Sequence, residues 1–474
     1  MGLVTPVTAV PVEQLGRVHF VGIGGVGMSG IARLMLGRGV VVSGSDRAHS
    51  AQLDELAGLG ATVRVGHDPA NVEGADTVVT TPSAIGDRNP EIVAARRLGI
   101  TVIPRAAALA SLMLGRQGIA VTGTHGKTTT TSMLTTVLRH AGADPSYVIG
   151  GILAETGTGA AEGTGEAFVV EADESDGSFL MLSPSAAVVT CIEAEHLDNY
   201  ENLAQIEATF AAFVGQIRPG GLLVVGRDNR GAAALAAAAA SLPLRVRSYG
   251  ESAGADYRVT GVAGLGMATR LTVTTPDSGP LTLTIAVPGR HNALNAAAAL
   301  AAAVELGLPA GTAVAGLEAY RGAQRRMEPK GEADGVRVLD TYAHHPTELA
   351  ADLTAARDVA AGGQVIAVFQ PHLYSRTRFF AAQFGAALGL ADEALVLDVY
   401  AAREEPEPGI TGQIIAAAVP GGRARFLPDA AAVPDTIAGL AKPGDLVLTM
   451  GAGDVTLLGP AILAALRERG GEAG

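Results

Sequence analysis

The chain has 474 residues, room for about three domains at roughly 150 residues each, and 48% of it is hydrophobic, enough to give each domain a core. A formal net charge of −13 repels a nucleic-acid backbone, which excludes nucleic acid as a partner and requires any phosphate-bearing ligand to be gripped by local donors. The single cysteine, Cys191, excludes an intrachain disulfide, the longest apolar blocks (Ala232–Ala240 and Ala296–Val304) fall short of the ~20 residues a membrane helix needs, and the first sixteen residues lack a secretory pattern, so a cytoplasmic protein away from membranes is expected.

In chain order, Arg17–Ile23 is a short apolar run followed by glycines and a helix-like stretch to about Gly37. Val40–Ser43 and Thr77–Thr80 read as strands, Glu91–Leu98 as a helix ended by Gly99, and Ile100–Ile103 as a further strand. Such alternation predicts a parallel sheet covered by helices. The pattern restarts near Leu112–Gly118, with a strand at Ile119–Thr122, a helix at Lys127–His140, and strands without strict alternation at Phe168–Glu171 and Ala187–Ile192, as in a buried parallel sheet. Leu203–Ile217 has helical spacing, 257–287 alternates as antiparallel strands do, and Asn292–Leu306 is an alanine-rich helix. A third restart near Arg321 brings strands at Val336–Leu339, Val365–Phe369, Ala394–Asp398 and Leu446–Thr449. The expected architecture is α/β in three domains: Rossmann-like over 1–111, a P-loop-type mononucleotide-binding domain over 112–320, and Rossmann-like again over 321–474.

The segment Gly123-Thr124-His125-Gly126-Lys127-Thr128-Thr129 lies between a strand and a helix. A loop in that place points backbone N–H groups at an anion and adds the partial positive charge of the helix N-terminus. Lys127 can neutralise the β- and γ-phosphates, and Thr128 or Thr129 can ligate magnesium. The strict pattern has glycine where Val121 stands, so this is a shortened variant. Four carboxylates, Glu171, Asp173, Glu174 and Asp176, crowd the end of the next strand. They suit a hard cation, and the two-residue period of a strand puts Glu171 and Asp173 on one face. His196 follows a further strand. Taken alone, an acidic loop or a histidine is usually a solvated surface feature. In a parallel sheet, however, all three segments follow strands and meet at the carboxyl edge, where ligands bind.

Gly22-Ile23-Gly24-Gly25-Val26-Gly27 after the first strand, with Asp46 beyond it, has the spacing of a dinucleotide fingerprint. It signals a pyrophosphate near a helix N-terminus and says nothing of nicotinamide. Asp340–Pro346 and Gln370–Arg378 place histidines and arginines at strand ends in the third domain, able to take a carboxylate or phosphate.

Together these strings resemble the Mur ligases. The likeness rests on Gly22–Met28, Thr124–Thr128, Glu171–Leu180, Glu193–Tyr200, His291–Asn295, Gln324–Arg326, Tyr342–Glu348 and Phe369–Thr377, and it runs in order along nearly the whole chain. The resemblance implies an ATP-dependent ligase that joins L-alanine to UDP-N-acetylmuramate through an acyl phosphate in peptidoglycan synthesis, with two magnesium ions, as a monomer or weak homodimer. It implies that Gly22, Gly24, Gly25, Gly27, Asp46, Ser83 and Arg105 bind the UDP-sugar. ATP falls to Gly123–Thr129, Asn292, Asn295 and Arg326, and the metal to Thr128, Glu171 and His196. Tyr342, His344, His372, Arg376 and Arg378 are placed at the amino-acid site, with Lys127, Glu171, His196 and His344 catalytic. Two positions depart from the pattern: relatives often carry aspartate at Thr341 and arginine at Leu373. The chain also lacks a lysine between His196 and Arg227, where some sister ligases carry a carbamylated one. An NAD-dependent oxidoreductase leaves the Lys127 loop unexplained, and a non-catalytic nucleotide-binding regulator leaves the intact lysine and acidic segments so. A recycling ligase that loads a murein peptide onto the same sugar nucleotide is the nearest alternative.

Overall fold

The computed structural model describes residues 3–81, 86, 88–197, 199–402 and 404–472. They form three sheets in two compact units, one made of 1–260, 273–281 and 294–320, the other of 261–272, 282–293 and 321–474. No described helix is long and apolar enough to cross a membrane.

The first unit opens with strands β1 (Val18–Val21), β2 (Val42–Asp46), β3 (Thr62–Val65), β4 (Thr77–Thr80) and β5 (Thr101–Pro104). They lie in the order β3-β2-β1-β4-β5, all parallel. Strand order reverses between β1 and β4, which opens a crevice at their carboxyl ends. β2 starts two residues later than the apolar run suggests, because Val40 N–H closes on Met35 O at the end of the helix Val26–Gly37. That shift carries the strand out to Asp46. Behind the sheet, the fully buried Glu91 accepts from Ser45 Oγ (2.6 Å), Asn71 Nδ2 (2.6 Å) and Asp68 N–H (3.3 Å), with His19 Nε2 3.7 Å away.

The second sheet adds β6 (Gln117–Thr122), β7 (Ser146–Val148), β8 (Ala160–Ala161), β9 (Ala167–Glu171), β10 (Ala186–Val189), β11 (Leu222–Gly226), β12 (Arg245–Gly250), β13 (Tyr257–Leu265), β14 (Ala268–Thr275) and β15 (Gly279–Ile285). Their order is β15-β14-β13-β12-β11-β10-β6-β9-β7-β8, with β6 parallel to both β9 and β10. Only a two-residue link, with Gly266 at φ 67, separates β13 from β14, so these strands form a hairpin. The helix Lys127–His140 packs so closely on Ala310–Ala319 that a Cβ on Gly316 would stand 2.7 Å from Val137 Cα. Fully buried Phe179 stacks on Phe213 with centroids 4.6 Å apart and meets Phe210 edge-on at 5.3 Å. Burial of such a ring, worth about 2–3 kcal/mol, pins the far end of the acidic segment.

The second unit holds β16 (Glu328–Ala333), β17 (Val336–Thr341), β18 (Val365–Phe369), β19 (Glu393–Val396), β20 (Ala424–Phe426) and β21 (Leu446–Met450), in the order β16-β17-β21-β18-β19-β20. All pairs are parallel except β16–β17. One apolar cluster on this sheet gathers Leu349, Leu353, Phe369 and Phe384, another Val338, Val368, Ile437 and Ile462.

Two predictions test this packing. Gly316→Val forces a side chain into the Val137 backbone and destabilises by about 1–3 kcal/mol, whereas Gly311→Ala, with open space at its Cβ, is neutral or gains up to about 1 kcal/mol; thermal unfolding midpoints rank the two. The second concerns Glu91. Burial opposes its ionisation, but His19, Ser45 and Asn71 outweigh burial and lower its pKa from 4.5 to about 2. A depressed carboxylate contributes stability that is complete above the unfolded-state pKa and is lost as pH falls through the folded one. Glu91→Gln therefore unfolds at a lower temperature than wild type at neutral pH, and the gap closes between pH 4.5 and about 2.

Candidate active site

Because β6 has β9 and β10 as neighbours, its carboxyl end and theirs deliver the loop Gly123–Gly126, Glu171 and the segment from Thr190 to one edge. The loop is wedged between neighbours that leave no room for side chains. A Cβ on Gly123 (φ 129) would lie 2.1 Å from Thr190 Oγ1, and one on Gly126 (φ 81) 2.5 Å from Asn295 Oδ1. Thr124 N–H donates to Cys191 O at 2.9 Å, His125 N–H to Cys191 Sγ at 3.3 Å, and Thr124 Oγ1 accepts from Glu193 N–H at 2.8 Å. His125 Nε2 faces Glu193 at 3.5 Å. Thr129 is buried in the helix that follows, and Thr130 Oγ1 donates to Asn295 Oδ1 at 3.3 Å.

Lys127 turns back over the loop. Its Nζ donates to Gly123 O (2.6 Å), Thr124 O (3.1 Å) and Oε1 of the buried Glu174 (3.0 Å), and pairs in charge with that carboxylate. Burial works against the charge, yet Glu174, then Asp173, Glu171 and Glu195, hold the ammonium well above the ordinary lysine range. Beside it, Thr128 Oγ1 donates to Glu171 Oε1 at 3.1 Å, while Glu171 Oε2 accepts Gly150 N–H at 2.7 Å. A Cβ on Gly150 would meet that carboxylate at 2.5 Å. His196 Nε2 lies 3.6 Å from Glu174 and 3.9 Å from Glu195. His196 itself is in the left-handed region (φ 53), a conformation costing of order 1 kcal/mol, held by Asn199 N–H and Tyr200 N–H on its carbonyl (2.9 and 3.0 Å). Tyr200 Oη donates to Glu174 O.

Glu171 and Asp173 both bear on the Lys127 ammonium, though not through strand alternation. Strand geometry ends at Glu171, and past it Asp173 turns to Arg105, whose Nη2 donates to Oδ2 at 3.1 Å. Burial alone would raise the Asp173 carboxyl, but Arg105 foremost, then Lys127 and His196, bring it down to about 2. Glu174, not singled out in the sequence from its acidic neighbours, is the lysine's partner; only the site's three-dimensional closure distinguishes it. Gly150 was equally invisible.

Arg105 also reaches the first glycine turn, since a Cβ on Gly27 would fall 2.0 Å from its Nη1. In that turn Gly22 N–H and Ile23 N–H donate to Ser45 O (2.8 and 2.9 Å), Gly24 N–H donates to Asp46 Oδ2 (2.9 Å), and Gly25 caps the helix Val26–Gly37. Ser83 lies outside the described residues.

In the second unit, Tyr342 lies under the guanidinium groups of Arg325 (4.9 Å) and Arg326 (5.4 Å) and meets His344 edge-on at 5.3 Å. His344 Nδ1 sits 3.0 Å from Tyr342 O and 3.4 Å from Glu348. Its ring approaches His372 (6.2 Å), which stacks on Tyr400 (5.8 Å) and contacts Arg376 at 3.3 Å. Arg378 Nη1 donates to Glu407 Oε1 at 2.9 Å. Asn292 Nδ2 donates to Pro288 O at 2.7 Å. Asp340 is buried against Arg325 (3.2 Å), Thr449 (2.7 Å) and Thr456 (2.9 Å), a structural role.

Profiles described as Mur ligase family catalytic domain, Mur ligase middle domain, and Mur ligase glutamate ligase domain match residues 17–117, 121–303 and 325–453. A UDP-N-acetylmuramate–L-alanine ligase of Thermobifida fusca is 56% identical, over 98% of this chain and 100% of that protein. The crystal structure of UDP-N-acetylmuramate–alanine ligase from Thermotoga maritima superposes with a TM-score of 0.81 at 29% identity, covering 97% of this chain and 100% of that one. A murein peptide ligase from Psychrobacter arcticus gives 0.70 at 26%, over 95% and 99%. With all three family profiles matched in order along its length, the chain belongs to the Mur ligase family.

Proposed function

We propose that this chain joins L-alanine to UDP-N-acetylmuramate, with ATP converted to ADP and phosphate. The observation that carries the reading is Lys127, clamped by two loop carbonyls and Glu174 beside the Thr128–Glu171 pair, in a chain whose likeness to an L-alanine ligase extends end to end. The higher similarity to the alanine ligase structure than to the murein peptide ligase favours the amino acid over a peptide as the second substrate.

In the proposed reaction a carboxylate oxygen of the muramic acid attacks the γ-phosphorus of ATP. The bond to the β-phosphate oxygen breaks, and ADP leaves. The amine of L-alanine then attacks the carbonyl carbon of the acyl phosphate, the carbon–oxygen bond to phosphate breaks, and the amine gives up a proton, which we assign to His344. Phosphoryl transfer needs charge stabilisation more than covalent help. Lys127 supplies it from the loop, with the N–H groups of the helix N-terminus. Thr128 Oγ1 and Glu171 Oε1, 3.1 Å apart, are hard oxygen donors of the kind magnesium takes, and His196 completes the proposed set. When bound, magnesium neutralises charge on the transferring phosphates. The Gly22–Gly27 turn, Asp46 and Arg105 are the proposed grip on the UDP-sugar, and Tyr342, His344, His372, Arg376 and Arg378 the proposed amino-acid site.

The deciding experiment is an amino-acid panel with UDP-N-acetylmuramate, ATP and magnesium, read by phosphate release. L-Alanine should give the highest kcat/KM, and no release with any amino acid, or release with a murein tripeptide alone, would sink the assignment. Lys127→Ala should lower kcat by at least about a thousandfold with UDP-N-acetylmuramate affinity, measured by calorimetry, within about threefold of wild type. A joint loss of both would show that Lys127 belongs to the sugar-nucleotide site as well.

A further inference from the structure

One guanidinium serves two places. Arg105 heads the helix Arg105–Met113, and its Nη1 lies against the backbone at Gly27, in the first turn of the helix Val26–Gly37. A cation is repelled by the positive end of a helix, so the arrangement needs an anion close by. Asp173, from the segment that also supplies Glu171 and Glu174, provides it through Nη2 at 3.1 Å. Asp173 Oδ1 is separately anchored by Ser175 N–H at 3.1 Å, which aims Oδ2 at the arginine. Both partners are partly exposed, with side chains at 28% and 41%. A pair so placed is weak enough to exchange.

We propose that Asp173 is an internal competitor of the sugar nucleotide's diphosphate for Arg105, a positioning residue that sets the affinity for this substrate by occupying the guanidinium that the phosphates must take. The inference rests on the reading of the Gly22–Gly27 turn as the sugar-nucleotide site. A phosphate at the N-terminus of Val26–Gly37 meets the same guanidinium face, because Gly27 and Arg105 are in van der Waals contact there. Planar bidentate donors suit phosphate as well as carboxylate, so one replaces the other without moving the arginine.

The consequence runs against the ordinary expectation that deleting an ion pair near a site weakens binding. Calorimetric titration of the full chain with UDP-N-acetylmuramate, without ATP, tests it. Asp173→Asn keeps the acceptor for Ser175 N–H and removes the charge. It should bind the sugar nucleotide about three- to tenfold more tightly than wild type. Arg105→Lys, which loses the planar fork, should bind it at least about fivefold more weakly. Unchanged or weakened binding in Asp173→Asn, with a wild-type unfolding midpoint, overturns the proposal, as does wild-type affinity in Arg105→Lys. Should Asp173→Asn fold poorly, Asp173→Ser carries the same expectation and the same refutation. Failure of the functional reading is a different result: wild-type protein that binds no UDP-N-acetylmuramate at all.

Discussion

The ammonium of Lys127 is the contact on which the rest of the site depends. It is a positive charge, largely withdrawn from water, that ties two segments together: the loop through Gly123 O and Thr124 O, and the acidic segment through Glu174. A buried charge is tolerable only when paired and hydrogen-bonded, so the lysine requires the Glu174 carboxyl to be buried beside it. Glu174 in turn explains its own surroundings, since Tyr200 Oη holds its carbonyl and His196 stands 3.6 Å from its carboxylate. The strained backbone at His196 follows from the need to bring an imidazole to that carboxylate at the end of a strand.

Seen through charge, the acidic segment is a set of matched pairs. Glu171 is bound by a hydroxyl and a backbone N–H, Asp173 by Arg105, and Glu174 by Lys127. This is how a chain with a net charge of −13 keeps a phosphate-handling site from being repulsive: the cations are local and each has a nearby carboxylate. The strand order makes it possible. With β6 between β9 and β10, two short loops from flanking strands converge on the loop that carries the lysine.

Much of this was legible in the sequence. Strand–loop–helix punctuation located the Gly123–Thr129 loop, and the rule that ligands gather at the carboxyl edge of a parallel sheet brought Glu171 and His196 to it. What failed was local geometry beyond a strand's last residue. The two-residue period expected to put Glu171 and Asp173 on one face ended at Glu171, and Asp173 and Glu174 took different partners, Arg105 and Lys127. Edge strands such as β3, β8 and β20 were missed because they are short and carry little apolar pattern. The helix Arg230–Ala239 was hidden in an alanine run that composition alone explains.

The two departures from the family pattern in the second unit have physical answers. Thr341 Oγ1 donates to the buried Asp352, which also faces His291 Nε2 at 3.3 Å. Burial raises the Asp352 carboxyl and lowers the His291 imidazole, so desolvation disfavours charge on both. An aspartate at 341 would put a second carboxylate against Asp352 in a place where even one is hard to ionise, whereas a hydroxyl satisfies it. Leu373 takes a left-handed backbone (φ 70) at the N-terminus of the helix Tyr374–Leu388 with its side chain buried. An arginine held the same way would have to bury its guanidinium. The position therefore accepts an apolar side chain at the cost of one donor, and the neighbouring Arg376, within reach of His372, leaves a guanidinium at the same strand end.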